Sequence, residues 1–285
     1  MRNLGVGEGR AARVLLIVLA AVLVGLLLLM PLAVLFVEAF SAGLGAYAAA
    51  ISNPDALSAI RLTLLVAAIV VPVNALFGIA AAWCITRFGF PGRRLLASLV
   101  ALPFSVSPVV SGLTFVLLFG TQGWFGPLLS DTGIRIVFAL PGIVLATAFV
   151  TLPFVAGQLI PLLEAQGIEA EEAGLVLGAS GLQLFLRVTL PKIRWGLLYG
   201  VLLCSARAMG EFGAVSVVSG RIRGLTNTMP LHIEVLYQEY DIVAAFAVAS
   251  LLAGVALLTI AARALLEWRQ ERLRQLGSQA ALVTA

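Results

Sequence analysis

Six stretches of this chain, at roughly 14–37, 60–84, 95–119, 137–160, 195–219 and 242–265, are apolar over the ~20 residues that a helix needs to cross a bilayer. Lipid offers a backbone no hydrogen-bond partners, so runs of this length are expected as helices. The fold expected is therefore an all-α membrane protein with six transmembrane helices. Composition agrees. Of the 285 residues 61% are hydrophobic and 11% charged, whereas a soluble domain carries about 25% charged residues. The first run follows Arg2, Arg10 and Arg13 as a signal peptide would. Its apolar stretch is too long for a signal h-region, so an uncleaved span is expected.

The placement of positive charge sets which way such a chain threads. With the N-terminus inside, the inner segments hold Arg2, Arg10 and Arg13; Arg87, Arg93 and Arg94; Arg187, Lys192 and Arg194; and Arg263, Arg269, Arg272 and Arg274. These are 13 of the 18 Lys and Arg, against Arg61, Arg135, Arg221 and Arg223 outside and Arg207 within a span. The bias predicts a membrane protein with both termini and segment 164–194 cytoplasmic. It divides the chain into residues 1–59 (tail, first span and outer loop), a core of 60–265 and a cytoplasmic tail of 266–285. A pI near 9.6 does not point to nucleic acid, because no basic run or aromatic–basic interleaving accompanies it.

Several spans should depart from plain cylinders. Pro103 and Pro108 interrupt the third, and Pro141 and Pro153 lie in or near the fourth; freed backbone groups are tolerated there only where protein or a watery cavity satisfies them. The fifth is rich in small residues, among them Gly196, Gly200, Gly210 and Gly213, which permit close helix packing and are equally compatible with lining a path. Arg207 and Glu211 fall near its middle at i, i+4 spacing, one helix face, where a salt bridge is the simplest account. An ionisable residue in a span is usually functional or paired. The pair is thus either structural or part of a translocation path.

Segment 169–191 reads as two short helices. Glu169, Glu171 and Glu172 open the first, where the helix dipole favours acids. Gly178 suits the left-handed residue that ends it. Ser180 and Gln183 have capping-box spacing for a second helix, which Pro191 is expected to end. Apolar residues are thereby exposed on the cytoplasmic side, as at a docking site for another protein.

This segment resembles the cytoplasmic motif of bacterial ABC importer permeases: Glu-Ala-Ala, three residues, Gly, nine residues, then Ile-x-Leu-Pro. Here it reads Glu172-Ala173-Gly174, then Gly178, then Val188-Thr189-Leu190-Pro191, with Gly174 and Val188 as departures. The resemblance implies a type I importer permease fold in the inner membrane, with this segment as the coupling helix that seats in a cytoplasmic ATPase. "ARAMGEFGAVSVVSGRIRGLTNTMPL" (206–231), "FPGRRLL", "LPFSVSPVVSGL" and "ALPGIVLATAFVTLPFVA" are similar to the sulfate/thiosulfate branch, to the second of its two permease subunits. The Arg207–Gly213 core is shared with molybdate and tungstate permeases, which stay the alternative; Val218–Gly224 favours sulfate. The implied partners are a second, homologous permease, two copies of an ABC ATPase and an external sulfate/thiosulfate-binding protein.

The residue inventory narrows the rivals. No Gly-x-x-x-x-Gly-Lys-Ser/Thr loop is present, so ATP would be used by a partner and the chain needs no cofactor of its own. An ATP-independent secondary transporter would need coupling carboxylates in its spans, where Glu211 is the acid available. An intramembrane enzyme is poorly served by a single histidine, His232, expected to be exposed or interfacial on an outer loop. No catalytic site and no metal site are expected. Arg221 and Arg223 either add a positive field at the outer mouth or are plain loop residues. Asn53-Pro54-Asp55 reads as a turn. Ser105, Ser107, Ser111, Thr147 and Thr151 offer hydroxyls either to an oxyanion or back to their own helices. Cys84 and Cys204 lie in apolar stretches and are not expected to form a disulfide.

Overall fold

The computed structural model describes residues 10–283, and all regular structure among them is helical. The first span is continuous from α1 (Arg10–Val24) through a π-helical turn (Gly25–Leu29) into α2 (Met30–Phe40), and none of its most apolar window is buried. Arg2 lies outside the described residues. A short helix, α3 (Gly43–Ser52), leads to α4 (Pro54–Arg87), the second span. The tripeptide expected to be a turn is a helix start. Asn53 accepts the Asp55 N–H at 2.9 Å, and Pro54 stands where its missing donor is no loss.

The third span is not a single kinked rod. α5 (Arg93–Ala101), with a 3-10 turn (Leu102–Phe104), meets α6 (Pro108–Phe119) at 104°. Pro103 and Pro108 flank the corner, and a residue before proline avoids helical geometry. After α7 (Gly126–Thr132), α8 (Leu140–Thr151) and α9 (Pro153–Gln166) make the fourth span, the most buried of the membrane-length helices described. At their joint the Leu152 N–H turns to Phe149 O (3.3 Å). The Ala148 carbonyl that this frees is taken by Asn74 Nδ2 of α4 at 3.1 Å.

Next come α10 (Glu169–Val176), α11 (Gly181–Leu184), a π-helical turn (Phe185–Thr189), α12 (Leu190–Met209) and α13 (Gly213–Val218). Two expectations are corrected here. Pro191 does not end α11, because the π turn carries the helix past it: the Leu190 N–H reaches back five residues to Phe185 O, and Pro191 falls in the first turn of α12. The fifth span, expected as one helix over 195–219, breaks at Gly210–Phe212. α14 (Met229–Gln238) and α15 (Ile242–Val283) complete the chain, with Ile242–Leu265 able to cross a membrane. The side chains of Arg269, Arg272, Arg274 and most of the 266–285 tail lie outside the described residues.

The core sits where α4, α8, α9, α12 and α13 meet. Val70, Ile143, Val215 and Leu231 fill one part of it, and Ala82, Val155, Leu159, Leu163 and Ile193 the part toward α10. A β-carbon on Gly78 would come within 2.7 Å of Val155, so α4 and α9 touch nearly backbone to backbone.

Candidate functional site

Two places carry the residues singled out from the sequence, at opposite ends of α12. Pro191 and Arg207 are roughly 24 Å apart along it at 1.5 Å per residue.

At the near end, α10 closes with a Schellman turn. The Ala179 N–H bonds Gly174 O (3.1 Å), the Gly178 N–H bonds Leu175 O (2.9 Å), and Gly178 takes the left-handed φ of +82° that glycine adopts without cost. Ser180 and Gln183 form the expected capping box, each side chain bonding the other's backbone N–H. Glu172 and Ala173 are exposed, as are Val176 (88%) and Leu177 (86%) at the turn. Gly174 lies close to α11: a β-carbon there would press on the flexible end of the Leu184 side chain. Leu190 and Pro191 open α12, Leu190 half-buried and Pro191 exposed.

Glu171 was not singled out beyond its place in the first turn, yet it is the buried acid of this end. Its Oε1 lies 3.3 Å from Arg87 Nη2 and accepts the Thr189 hydroxyl at 3.2 Å. Arg87 also donates to Leu163 O (3.2 Å). Neither partner is adjacent in sequence, so no local spacing announces the cluster.

At the far end, Arg207 Nη1 and Glu211 Oε2 are 2.5 Å apart, with the arginine side chain 33% exposed and the glutamate 0%. The pairing matches the spacing, but the shared helix face does not: α12 stops at Met209, and Glu211 stands in the break. There its Oε1 accepts the Ala214 N–H at 2.9 Å, satisfying a donor in the first turn of α13. Gly210 is open to solvent or lipid, whereas Gly213 packs so closely on Pro108 that a β-carbon would sit at 2.9 Å. The breaks of the third and fifth spans therefore touch each other.

The hydroxyls divide as follows. Ser111 donates back to Ser107 O (3.2 Å) and Thr151 to Thr147 O (2.7 Å); Thr151 also accepts Asn74 Nδ2 at 2.7 Å. Ser105 and Ser107 are exposed at the corner of the third span. Asn74 was missed; it reads as one polar residue in an apolar run, and its carbonyl-capping role exists only across helices.

On the side of α14 the expectations change again. His232 is 3% exposed, not interfacial, because α14 lays it inward near the N-terminal end of α4. Burial pushes its imidazole below the ordinary value, with the Asp55 carboxylate working against the shift. Arg221 pairs with Glu234 at 3.0 Å and Arg223 with Glu239, and of the two roles open to these arginines the acids of α14 and its end favour the plain loop one over a positive field. Arg135 instead lines an open cavity of about 930 Å³ between α6 and α7.

A family model for the binding-protein-dependent transport system inner membrane component matches residues 74–275. The chain is 51% identical over 253 residues to the sulfate transport system permease protein CysW of Escherichia coli K12, covering 89% of this chain and 87% of that one. It is 52% identical over 269 residues to CysW of Synechococcus elongatus, covering 94% of each. With CysT of Salmonella typhimurium the identity is 40% over 235 residues, covering 82% and 85%. Among solved structures, a bacterial ABC transporter importing the acidic polysaccharide alginate superposes with TM-score 0.72 at 18% identity, over 90% of this chain and 95% of that chain. The same fold appears in an alginate ABC transporter bound to a pentasaccharide-loaded periplasmic protein, with TM-score 0.74.

Proposed function

We propose that this chain, which belongs to the family of binding-protein-dependent transport system inner membrane components, is the permease subunit of an ATP-driven sulfate/thiosulfate importer and forms half of its pore. One observation carries the substrate: half of the aligned residues, over about nine-tenths of the chain, are identical with those of proteins named sulfate permeases. The molybdate/tungstate alternative rests on the Arg207–Gly213 core alone.

In this reading a second, homologous permease completes the pore, and relatives of both the CysW and the CysT kind support that pairing. Two copies of a cytoplasmic ATPase supply the energy, and a binding protein delivers the anion from outside. Glu172, Ala173, Gly174, Gly178, Leu190 and Pro191 mark the segment that docks the ATPase. Its exposed Val176 and Leu177 suit a cleft on a partner better than water. Closure of the ATPase pair pulls this segment and tilts the spans, so that access alternates between the two sides. Arg207, Gly210, Glu211 and Gly213 lie where two broken spans touch, the kind of place where importers and transporters pass substrate.

Reconstitution of the chain with its candidate partners tests the reading. ATP hydrolysis should rise with binding protein loaded with sulfate or thiosulfate and stay near the basal rate with molybdate or tungstate. The reverse preference overturns the assignment of the anion. The cytoplasmic placement of 164–194 is checked separately. A single cysteine at Leu177, in a background lacking Cys84 and Cys204, should resist an impermeant thiol reagent until the membrane is opened; labelling in intact cells reverses the orientation.

A further inference from the structure

α10 is joined to its neighbours by two glycine joints. Gly167 before it has a φ of +67° and Gly178 after it +82°, both in the region that favours glycine. Among the described residues of α10, Glu171 alone is buried. The helix thus lies between two glycine corners and, beside its contacts with α11 and the π turn, buries one side chain against the body of the protein.

That side chain ends in a node. Arg87, the last residue of α4, contacts Glu171 with both side chains about one-tenth exposed. Thr189, in the π turn that enters α12, is 1% exposed and donates to the same carboxylate oxygen. Arg87 also holds the Leu163 carbonyl near the end of α9. The inner ends of the second, fourth and fifth spans therefore converge on one acid of α10.

Stability alone is a poor account of such an arrangement. A buried ion pair repays little of its desolvation, and well-packed apolar residues usually do as well. What apolar packing does not provide is direction: charge-assisted hydrogen bonds fix distance and angle where apolar surfaces slide. We propose that Arg87, Glu171 and Thr189 form the strut that passes displacement of α10 to the second, fourth and fifth spans, so that they are positioning residues for transport. This rests on the reading of α10 as the ATPase-docking helix. It goes beyond it by naming the path from that helix into the membrane.

The test uses the full importer complex in proteoliposomes. Two quantities are read for each variant: the amount of ATPase subunit that co-purifies, and the ratio of ATP hydrolysis with sulfate-loaded binding protein to that without it. Arg87→Met with Glu171→Leu removes the strut while keeping volume; Thr189→Val and Glu171→Gln weaken it with minimal change of shape. Each variant that assembles should retain the ATPase, while its stimulation ratio falls. The fall should be about fivefold or more for the double variant, the lower end of ordinary coupling between sites, and smaller for the single ones. A wild-type ratio in every variant that assembles overturns the strut. Should the double variant not accumulate, Thr189→Val and Glu171→Gln decide on the same criterion. Failure of the wild-type chain to co-purify the ATPase defeats the docking reading instead, and is told apart because it needs no variant.

Discussion

Glu171 and Glu211 are both buried acids paired with an arginine, but they stand at opposite ends of α12 and join different things. Glu211 finds Arg207 four residues away and the Ala214 N–H three residues away, so all its bonds mend one break in one span. Glu171 finds Arg87 at a separation of 84 residues and Thr189 at 18, so its bonds close loops of chain and tie spans together. The difference teaches that the chemistry of a buried pair does not fix its role. The bonds of one pair stay within a single span, and those of the other run between helices far apart in sequence.

The largest expected effect comes from cutting the distant pair on one side. Glu171→Leu strands Arg87, which cannot shed its charge, and should cost about 3–5 kcal/mol, read as a loss of assembled complex from the membrane. Wild-type amounts of complex would make the two pairs alike and break the contrast. Arg207→Ala should cost less, about 1–3 kcal/mol, because the Glu211 carboxylate keeps the bond from the Ala214 N–H.

The local pair can then be dissected. Arg207→Met with Glu211→Leu should recover assembly except for the orphaned Ala214 N–H. Arg207→Met with Glu211→Gln should recover about 1 kcal/mol more, since the amide oxygen still accepts that N–H. Equal thermal stability of the two double variants would show that the bond to α13 carries nothing. Full assembly of both with no sulfate uptake would take the pair out of the structural class and place it in the path.

Smaller effects sharpen the docking end. Gly178→Ala has open space for its β-carbon but keeps the left-handed backbone, a strain of about 1–2 kcal/mol. Co-purified ATPase should fall with Gly178→Ala and fall further with Gly178→Leu; unchanged pull-down by both variants separates the turn from docking. Gly174→Ala pushes on the flexible end of Leu184, and a cost of about 1 kcal/mol in complex melting is expected. A much larger loss would mean that the α10–α11 contact is rigid and shares the hold on α10 with Glu171.

What was legible in the sequence is what is local. Ser180 with Gln183 and the glycine at 178 announce a cap and a helix end because both act within a few residues, and the structure has them as spaced. The Arg207–Glu211 contact was legible for the same reason. The break beneath it was not, because small residues such as Gly210 and Gly213 continue a membrane helix as readily as they end one. Pro191 misled because a π turn upstream absorbs the missing donor. Arg87 with Glu171, Asn74 with Ala148 and Arg221 with Glu234 depend on which helices are neighbours, and hydropathy carries no such information. His232 went wrong on the same ground: an outer loop is polar surface unless, as α14 does, it folds back as a helix.

The first span also has its consequence in time. α2, the second half of the first span, packs on α15, the last helix described, and Tyr47 of α3 shares a 3.0 Å hydrogen bond with Ser250, 203 residues later. A ribosome adding about 5–20 residues per second needs about 10–40 s to make that stretch. Throughout that interval the first helix waits in lipid for a surface not yet synthesised, kept there by its solubility in hydrocarbon and by no contact with α15. A nascent chain stopped before Ile242 would lack the surface on which its oldest helix was to be seated.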